Sequence, residues 1–326
     1  MRRPAHILGL ALIALLLAAT PAGAAARQVP LGWMGMNVGG AAFDAGVDLG
    51  AEMQTMVGVG VETLRVPAFW NELQPTPGAP DFRQLDRVVA EAARRQLRVM
   101  PTVVGTPSWA AIRPRDVYSP PRGTANYAAI VGALARRYGP AGDFWAAHPE
   151  LPRVPIREWQ IWNEPSLPGY WSLQPFARGY VALLRAANQA IKRVDPGAII
   201  VLAGMPNSSS PSWKYLRSVY RAGGRPWFDV AAVHPYTTLV DGMRQTVQNN
   251  RGTMAQYGDA RKPILVSEMT WSSGRGQVRE SYGFLTTTER GQAKRISEAF
   301  AVLAAFRRSY RIAQVFWFNW LSPPLG

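Results

Sequence analysis

The sequence contains no cysteine. A chain without thiols has neither a disulfide framework nor a thiolate metal site, so its stability must come from an apolar core, which 326 residues can supply. Histidine is nearly as scarce, with only His6, His148 and His234 present. Setting aside His6 in the N-terminal leader described below, two histidines are too few for a His/Cys zinc centre. No cofactor or metal is expected, although a calcium ion held by carboxylates stays compatible with the composition. Three phosphate- or acyl-chemistry signatures are also missing. No G-x-G-x-x-G turn follows a first strand, there is no Walker sequence, and there is no G-x-S-x-G elbow. Nucleotide-binding and serine-hydrolase readings lose their support with them.

Lysine is confined to Lys192, Lys214, Lys262 and Lys294, so nearly all of the positive charge is arginine. The formal charge is +15, or +13 without Arg2 and Arg3. Such an excess suits an anionic partner such as nucleic acid, an acidic glycan or an anionic envelope polymer. The arginines are spread along the chain without a cluster, however, which is what an arginine-favouring codon bias produces, and no nucleic-acid partner is expected.

Long apolar runs are limited to the start. Arg2 and Arg3 precede "ILGLALIALLLAA", and "AGAAA" follows with the small residues a signal peptidase needs, so residues 1–26 read as a secretion signal cut after Ala24 or Ala26. The run is shorter than the roughly 20 residues of a membrane span. Residues 27–326 then form the working protein, exported or held at the cell envelope.

Eight short apolar runs follow, at 33–38, 63–69, 97–104, 158–164, 198–204, 228–236, 264–269 and 313–320. Near-continuous apolar strands imply burial on both faces, as in a parallel sheet. Helical periodicity fills the gaps at 81–96, 124–139, 175–194 and 287–309, with Thr124 and Thr287 as candidate N-caps and Gly139 as a stop. Eight strands alternating with helices specify an α/β protein, a single-domain (β/α)8 TIM barrel; a doubly wound open sheet is the alternative. Only nine residues follow Trp317, so the barrel is expected to lack a full closing C-terminal helix. Proline-rich loops at 74–80, 113–122 and 149–155 are expected to shape its rim.

In such a barrel, chemistry sits at the C-terminal ends of the strands. Glu62, Glu158 and Asp229 precede or open strands and are assigned to the opposite, structural face. Glu164 closes the fourth strand and Glu268 the seventh, with Glu72 after the second strand as a competitor. Two carboxylates on opposite walls of one mouth suit glycosidic cleavage, one donating a proton and the other attacking carbon.

"WQIWNEP" closing strand four and "ILVSEMTW" closing strand seven resemble glycoside hydrolase clan A, the retaining (β/α)8 glycosidases. The likeness runs from about residue 32 to 320, and the spacing of "ALARRYGPAGDFW" before "WQIWNEP" is most similar to family 39, with family 5 cellulase-like proteins close behind. The resemblance implies that Glu164 is the acid/base and Glu268 the nucleophile. Asn163 would hydrogen-bond a sugar 2-hydroxyl, and Arg65 would hold Glu268 ionised. His234 and Tyr236 match the clan's strand-six His-x-Tyr, with Tyr236 orienting Glu268. Trp317, or failing that Trp320, matches the tryptophan beneath the cleaved sugar. Asn37 is expected to face the mouth. Trp109, with Trp33, Trp70, Trp162, Trp171 and Trp271, could line subsites or pack the core. The implied activity is hydrolysis of β-linked oligo- or polysaccharides by double displacement. A non-catalytic glycan-binding barrel and an envelope-remodelling transglycosylase are the alternatives. Gluco, xylo, manno and arabino sugars all fit the motifs.

Overall fold

In the computed structural model, residues 27–320 are described, apart from 40–42, 45, 275 and 277–279. The expected signal over 1–26 lies outside the described residues. The chain divides after Pro30. Of the first unit, residues 27–30 are described and carry no helix or strand; the second unit begins at Leu31.

Nine parallel strands make one sheet: β1 (Met34–Asn37), β2 (Thr63–Phe69), β3 (Arg98–Val104), β4 (Glu158–Ile161), β5 (Ile199–Val201), β6 (Met205–Pro206), β7 (Ala231–His234), β8 (Ile264–Met269) and β9 (Ile312–Trp317). Their order is β5-β4-β3-β2-β1-β9-β8-β7-β6. The two ends of that order are consecutive in sequence, and a parallel bridge between Val201 and Val230 joins them. The sheet therefore closes into a barrel of eight staves, as the eight apolar runs predict. The fifth stave is broken in two: β5 falls inside the run predicted at 198–204 and β6 just beyond it, and they pair with β4 and β7 respectively.

Helices cover the outside. In Arg83–Arg94 the buried residues are Leu85, Val88, Val89, Ala92 and Ala93, a single stripe at helical spacing turned to the sheet. Ala177–Val194 and Thr124–Tyr138 pack similarly through apolar faces. Leu49–Gly58, Ser212–Arg221 and Val240–Gln256, with the short Trp70–Leu73 and Asp143–Ala147, have no predicted counterpart and fill remaining gaps. The predicted helix at 287–309 splits into Glu289–Ala305 and Arg307–Tyr310. Its N-cap is Thr288, which accepts from the Gly291 amide, and not Thr287. Thr124 is already inside its helix and Gly123 occupies the cap; Gly139 ends it as expected. Among the described residues no helix follows β9, and no helix is long and apolar enough to cross a membrane.

The barrel is filled, not hollow. Met100, Val201, Val230, Ala232, Leu265 and Phe316 form its waist. Phe316 reaches across to β1, where a Cβ on Gly35 would lie 2.3 Å from the ring. Below the waist Gln314 donates to Glu158, and Glu62 accepts from the amides of Gly32 and Met34. Asp229 holds the Ile200 amide and Lys192. These three carboxylates thus lie at the N-terminal end of the strands, as the strand positions predict. The loop 149–155 leads into the start of β4, so it belongs to that end too and not to the rim expected for it.

Candidate active site

Above the waist the inward positions turn polar. On β1 the small Gly35 is followed, two residues on, by Asn37; on β2, Thr63 is followed by Arg65; on β4, Glu158 by Gln160; on β7, Ala232 by His234. Period-two alternation puts each pair on one face. Strand β8 breaks the rule. Its inward waist residue is Leu265, so Ser267 would be next, yet Val266 and Met269 pair with Val315 and Trp317. Three residues on β8 therefore span two on β9. This bulge shifts the inward position by one and delivers Glu268 to the mouth.

Strand β4 ends at Ile161, three residues before Glu164. Trp162 (φ 69°) and Glu164 (φ 42°) both adopt left-handed backbone conformations, which cost a residue with a side chain about 1–3 kcal/mol each. The first turns the Trp162 ring out among Tyr127 and Trp171, where its N–H donates to the Tyr170 carbonyl. The second brings the Glu164 carboxylate back over the barrel.

The two carboxylates and His234 converge: one oxygen of Glu164, one of Glu268 and a ring nitrogen of His234 all lie within 4.8 Å of one another. All three residues are buried. Arg65 organises one side. Its Nη1 donates to Glu268 Oε1 (2.7 Å) and Asn37 Oδ1 (2.6 Å), its Nη2 to Asn163 Oδ1 (2.7 Å) and its Nε to Gln160 Oε1 (2.6 Å). Tyr236 Oη donates to Glu268 Oε2 at 2.5 Å. Burial alone would push the Glu268 carboxyl up. The charges of His234 and Arg65, and the hydrogen bonds from Tyr236 and Arg65, outweigh it and hold the group below its ordinary value. Tyr236 moves the other way. Burial, then the charges of Glu268 and Glu164, raise it well above the usual phenol range, so it stays a donor.

His234 Nδ1 lies 2.7 Å from Glu164 Oε1 and 3.5 Å from Glu268 Oε2. The ring is seated against Gly204, where a Cβ would lie 1.9 Å from Nε2. The break between β5 and β6 is thus the place where the barrel makes room for this histidine. Glu164, His234 and Glu268 form the one group of three or more His and carboxylate side chains, among the described residues, close enough to hold a metal ion. Their oxygens already accept from a guanidinium and a phenol and share a hydrogen bond with an imidazole. A cation would have to displace Arg65 from 2.7 Å, so the donor set fits proton chemistry better than metal ligation.

A cavity of about 230 Å³ opens over this centre, lined by Asn37, Arg65, Asn163 and Glu268 together with Tyr118, Tyr170, Phe69, Phe318 and Asn319. The structure thus brings together Asn37, Arg65, Asn163, Glu164, His234, Tyr236 and Glu268. Trp317 is elsewhere. With Phe316 inside the barrel, Trp317 points outward and lines a groove beside Ile296 and Phe300, in ring contact with Trp271. Trp320 lines the same groove and donates to Glu52. The aromatic residue that the strand's register places over the cavity is Phe318. Trp109 stands edge-on to Trp70 and donates to the Gln74 carbonyl. Trp33, Trp70, Trp162, Trp171 and Trp271 are buried. Glu72 lies beyond Pro67 and Phe69 in a neighbouring cleft, and burial raises its carboxyl.

Sequence reasoning passes over Gln160, whose side-chain oxygen takes Arg65 and Thr102 while its amide holds the Leu202 carbonyl. The polar gap in "WQIW" is the clue it leaves. It also passes over Tyr118 and Tyr170, paired edge-to-face at 4.9 Å across the mouth. Tyr118 belongs to the loop 113–122, expected at the rim.

No protein-family model matches this sequence, and no curated protein matches it. Among solved structures, a glucosidase from Croceicoccus marinus superposes with a TM-score of 0.64 at 14% identity, over 89% of this chain and 60% of its own. An exo-β-1,4-mannosidase from Opitutaceae bacterium strain TAV5 gives 0.60 at 17% identity, over 88% and 51%. The GH53 catalytic domain of Ignisphaera aggregans gives 0.56 at 21%, over 88% and 80%. The chain thus spans about half to three-fifths of the first two proteins. At these identities the likeness is one of fold, and it shows that this chain is built as a (β/α)8 barrel.

Proposed function

We propose that the protein is a retaining glycoside hydrolase of clan A, exported from the cell, that cleaves β-linked sugars by double displacement. The observation that carries the reading is the approach of the Glu164 and Glu268 carboxylates to within 4.8 Å. Retaining glycosidases hold their two carboxyl groups about 5–5.5 Å apart, whereas inverting ones leave about 6.5–9.5 Å for a water. The glycosidase names of the structural neighbours agree with it. The likeness to family 39 rests on the residues around "WQIWNEP" alone.

Glu268 is the nucleophile because His234, Arg65 and Tyr236 together outweigh its burial and favour the ionised form. Its oxygen attacks the anomeric carbon and forms a glycosyl ester as the bond to the leaving oxygen breaks. Glu164 gives that oxygen its proton. Water then enters, Glu164 takes its proton, the new C–O bond forms and the Glu268 carboxylate leaves. Arg65 holds Glu268 and presents Asn163 to the sugar at the same time. Tyr118, Tyr170 and Phe318 offer ring faces to the apolar faces of the sugar.

Replacing Glu268 with Ala abolishes turnover of aryl β-glycosides. Glu164→Ala lowers kcat/KM by about 10²–10⁴ on poor leaving groups and far less on a dinitrophenyl glycoside, which departs without a proton. A 2-fluoro aryl glycoside labels Glu268 covalently, read by mass spectrometry of the peptide. Wild-type rates in both variants across chromogenic glycosides and a polysaccharide panel, or labelling elsewhere, would overturn the assignment.

A further inference from the structure

The end of the barrel opposite the catalytic mouth holds a second cleft, of about 400 Å³, between the starts of β3, β4 and β5. Three arginines line it: Arg98 opening β3, Arg153 in the loop before β4, and Arg157 immediately before β4. They come from two separate stretches of chain, and the fold alone gathers them. Two glycines clear their seats. A Cβ on Gly32 would meet Arg98 Nη1 at 2.3 Å, and one on Gly197 would meet Arg157 Nη1 at 3.2 Å.

The guanidinium groups keep most of their donors. Of five N–H groups on each, Arg98 gives one to the Leu31 carbonyl at 3.3 Å and Arg153 one to the Pro140 carbonyl. Among the described residues, the Arg157 guanidinium has a long contact to Asp195, at 3.8 Å, and no shorter polar one. The acidic residue in the wall, Glu158, feels Arg98, but its carboxylate accepts from Gln314 inside the barrel. Like charges gathered around one cleft repel, and an anion between them reverses the sign of that interaction. A carboxylate has two oxygens and matches one planar fork. Three forks along one cleft offer more donors than a carboxylate can take and suit an anion with oxygens on every side.

We propose that this cleft binds a tetrahedral oxyanion, the phosphate or sulfate group of an ester, through Arg98, Arg153 and Arg157. The site is separate from the carboxylate pair, so its occupant leaves the catalytic mouth open.

Titration calorimetry of the full chain tests it, with inorganic phosphate, sulfate and acetate as probes at an ionic strength fixed by chloride. Phosphate or sulfate binds saturably with one site per chain and raises the melting temperature, and acetate does neither. Tighter phosphate binding assigns a phosphate ester and tighter sulfate binding a sulfate ester. Arg153→Gln alone weakens binding several-fold, and Arg153→Gln with Arg157→Gln weakens it at least tenfold. Arg217→Gln with Arg221→Gln, on another face, changes nothing. Circular dichroism confirms the fold of each variant. Failure to saturate, equal binding of acetate, or unchanged affinity in the Arg153/Arg157 variant overturns the proposal.

Discussion

Arg65 shows how much one side chain can organise. Buried in β2, it satisfies its charge with Glu268 and spends its other donors on Asn37, Asn163 and Gln160. Losing one partner of such a pair leaves an unpaired buried charge at a cost of about 3–5 kcal/mol. Tyr236 is the gentler probe of the same carboxylate. Its hydrogen bond is one of the forces holding Glu268 below its ordinary value of 4.5. Removing that bond makes protonation easier, so Tyr236→Phe moves the acid limb of the kcat/KM profile to higher pH. Activity at the optimum falls about 10–100-fold, the worth of a hydrogen bond to a charged group. A pH–rate profile decides it: an acid limb unmoved or shifted downward would separate Tyr236 from Glu268 ionisation. The choice between Trp317 and Phe318 also belongs at this scale. Tryptophan is the better sugar platform in isolation, so composition favours it; alternation along β9 points it the other way.

At the scale of elements, two irregular strands build the site. The extra residue in β8 rotates Glu268 inward, and the break between β5 and β6 vacates the space that His234 fills. Neither can be read from an apolar run, because a bulge changes which residues face the core without changing their composition. Regular elements were far more legible. β2 and β8 lie where their runs predict, over 63–69 and 264–269, and the stripe in Arg83–Arg94 follows its periodicity. Of the unforeseen helices, Leu49–Gly58 and Val240–Gln256 have weak apolar patterns and owe their form to packing, whereas Ser212–Arg221 carries an apolar face of Leu216, Val219 and Tyr220 within a short span. The waist below the site is set by Phe316 against Gly35. Phe316→Ala leaves a cavity in the middle of the barrel and destabilises the fold by about 3–5 kcal/mol, measured by denaturant unfolding. A loss below 1 kcal/mol would mean that the waist collapses around the gap.

Across the whole molecule, the decisive fact is that residues 164 and 268 (268 − 164 = 104 apart in sequence) meet within 4.8 Å. For the proposed double displacement, a separation this short leaves no room for a water between carboxylate and sugar, so the first product expected from a β-glycoside is the β-anomer. Proton NMR recorded before mutarotation shows it; an initial α-anomer would require an inverting geometry. Charge is arranged at this scale as well, since Arg98, Arg153 and Arg157, from two stretches of chain, line one cleft at the end of the barrel remote from the carboxylates.

The sequence by itself determined the class of fold, because eight buried runs and the helices between them can hide their apolar surface in few other ways. It determined the absence of disulfides, and it marked Glu164, Glu268, Arg65, Asn163, His234 and Tyr236 by strand position and motif. Tertiary structure alone decided the β8 bulge, Phe318 in place of Trp317, the tie of Gln160 to Arg65, the tyrosine pair at the rim and the arginine cleft. Each of those depends on register or on contacts between residues distant in sequence. Local composition fixes neither, since the energy that selects them exists only once the barrel has closed.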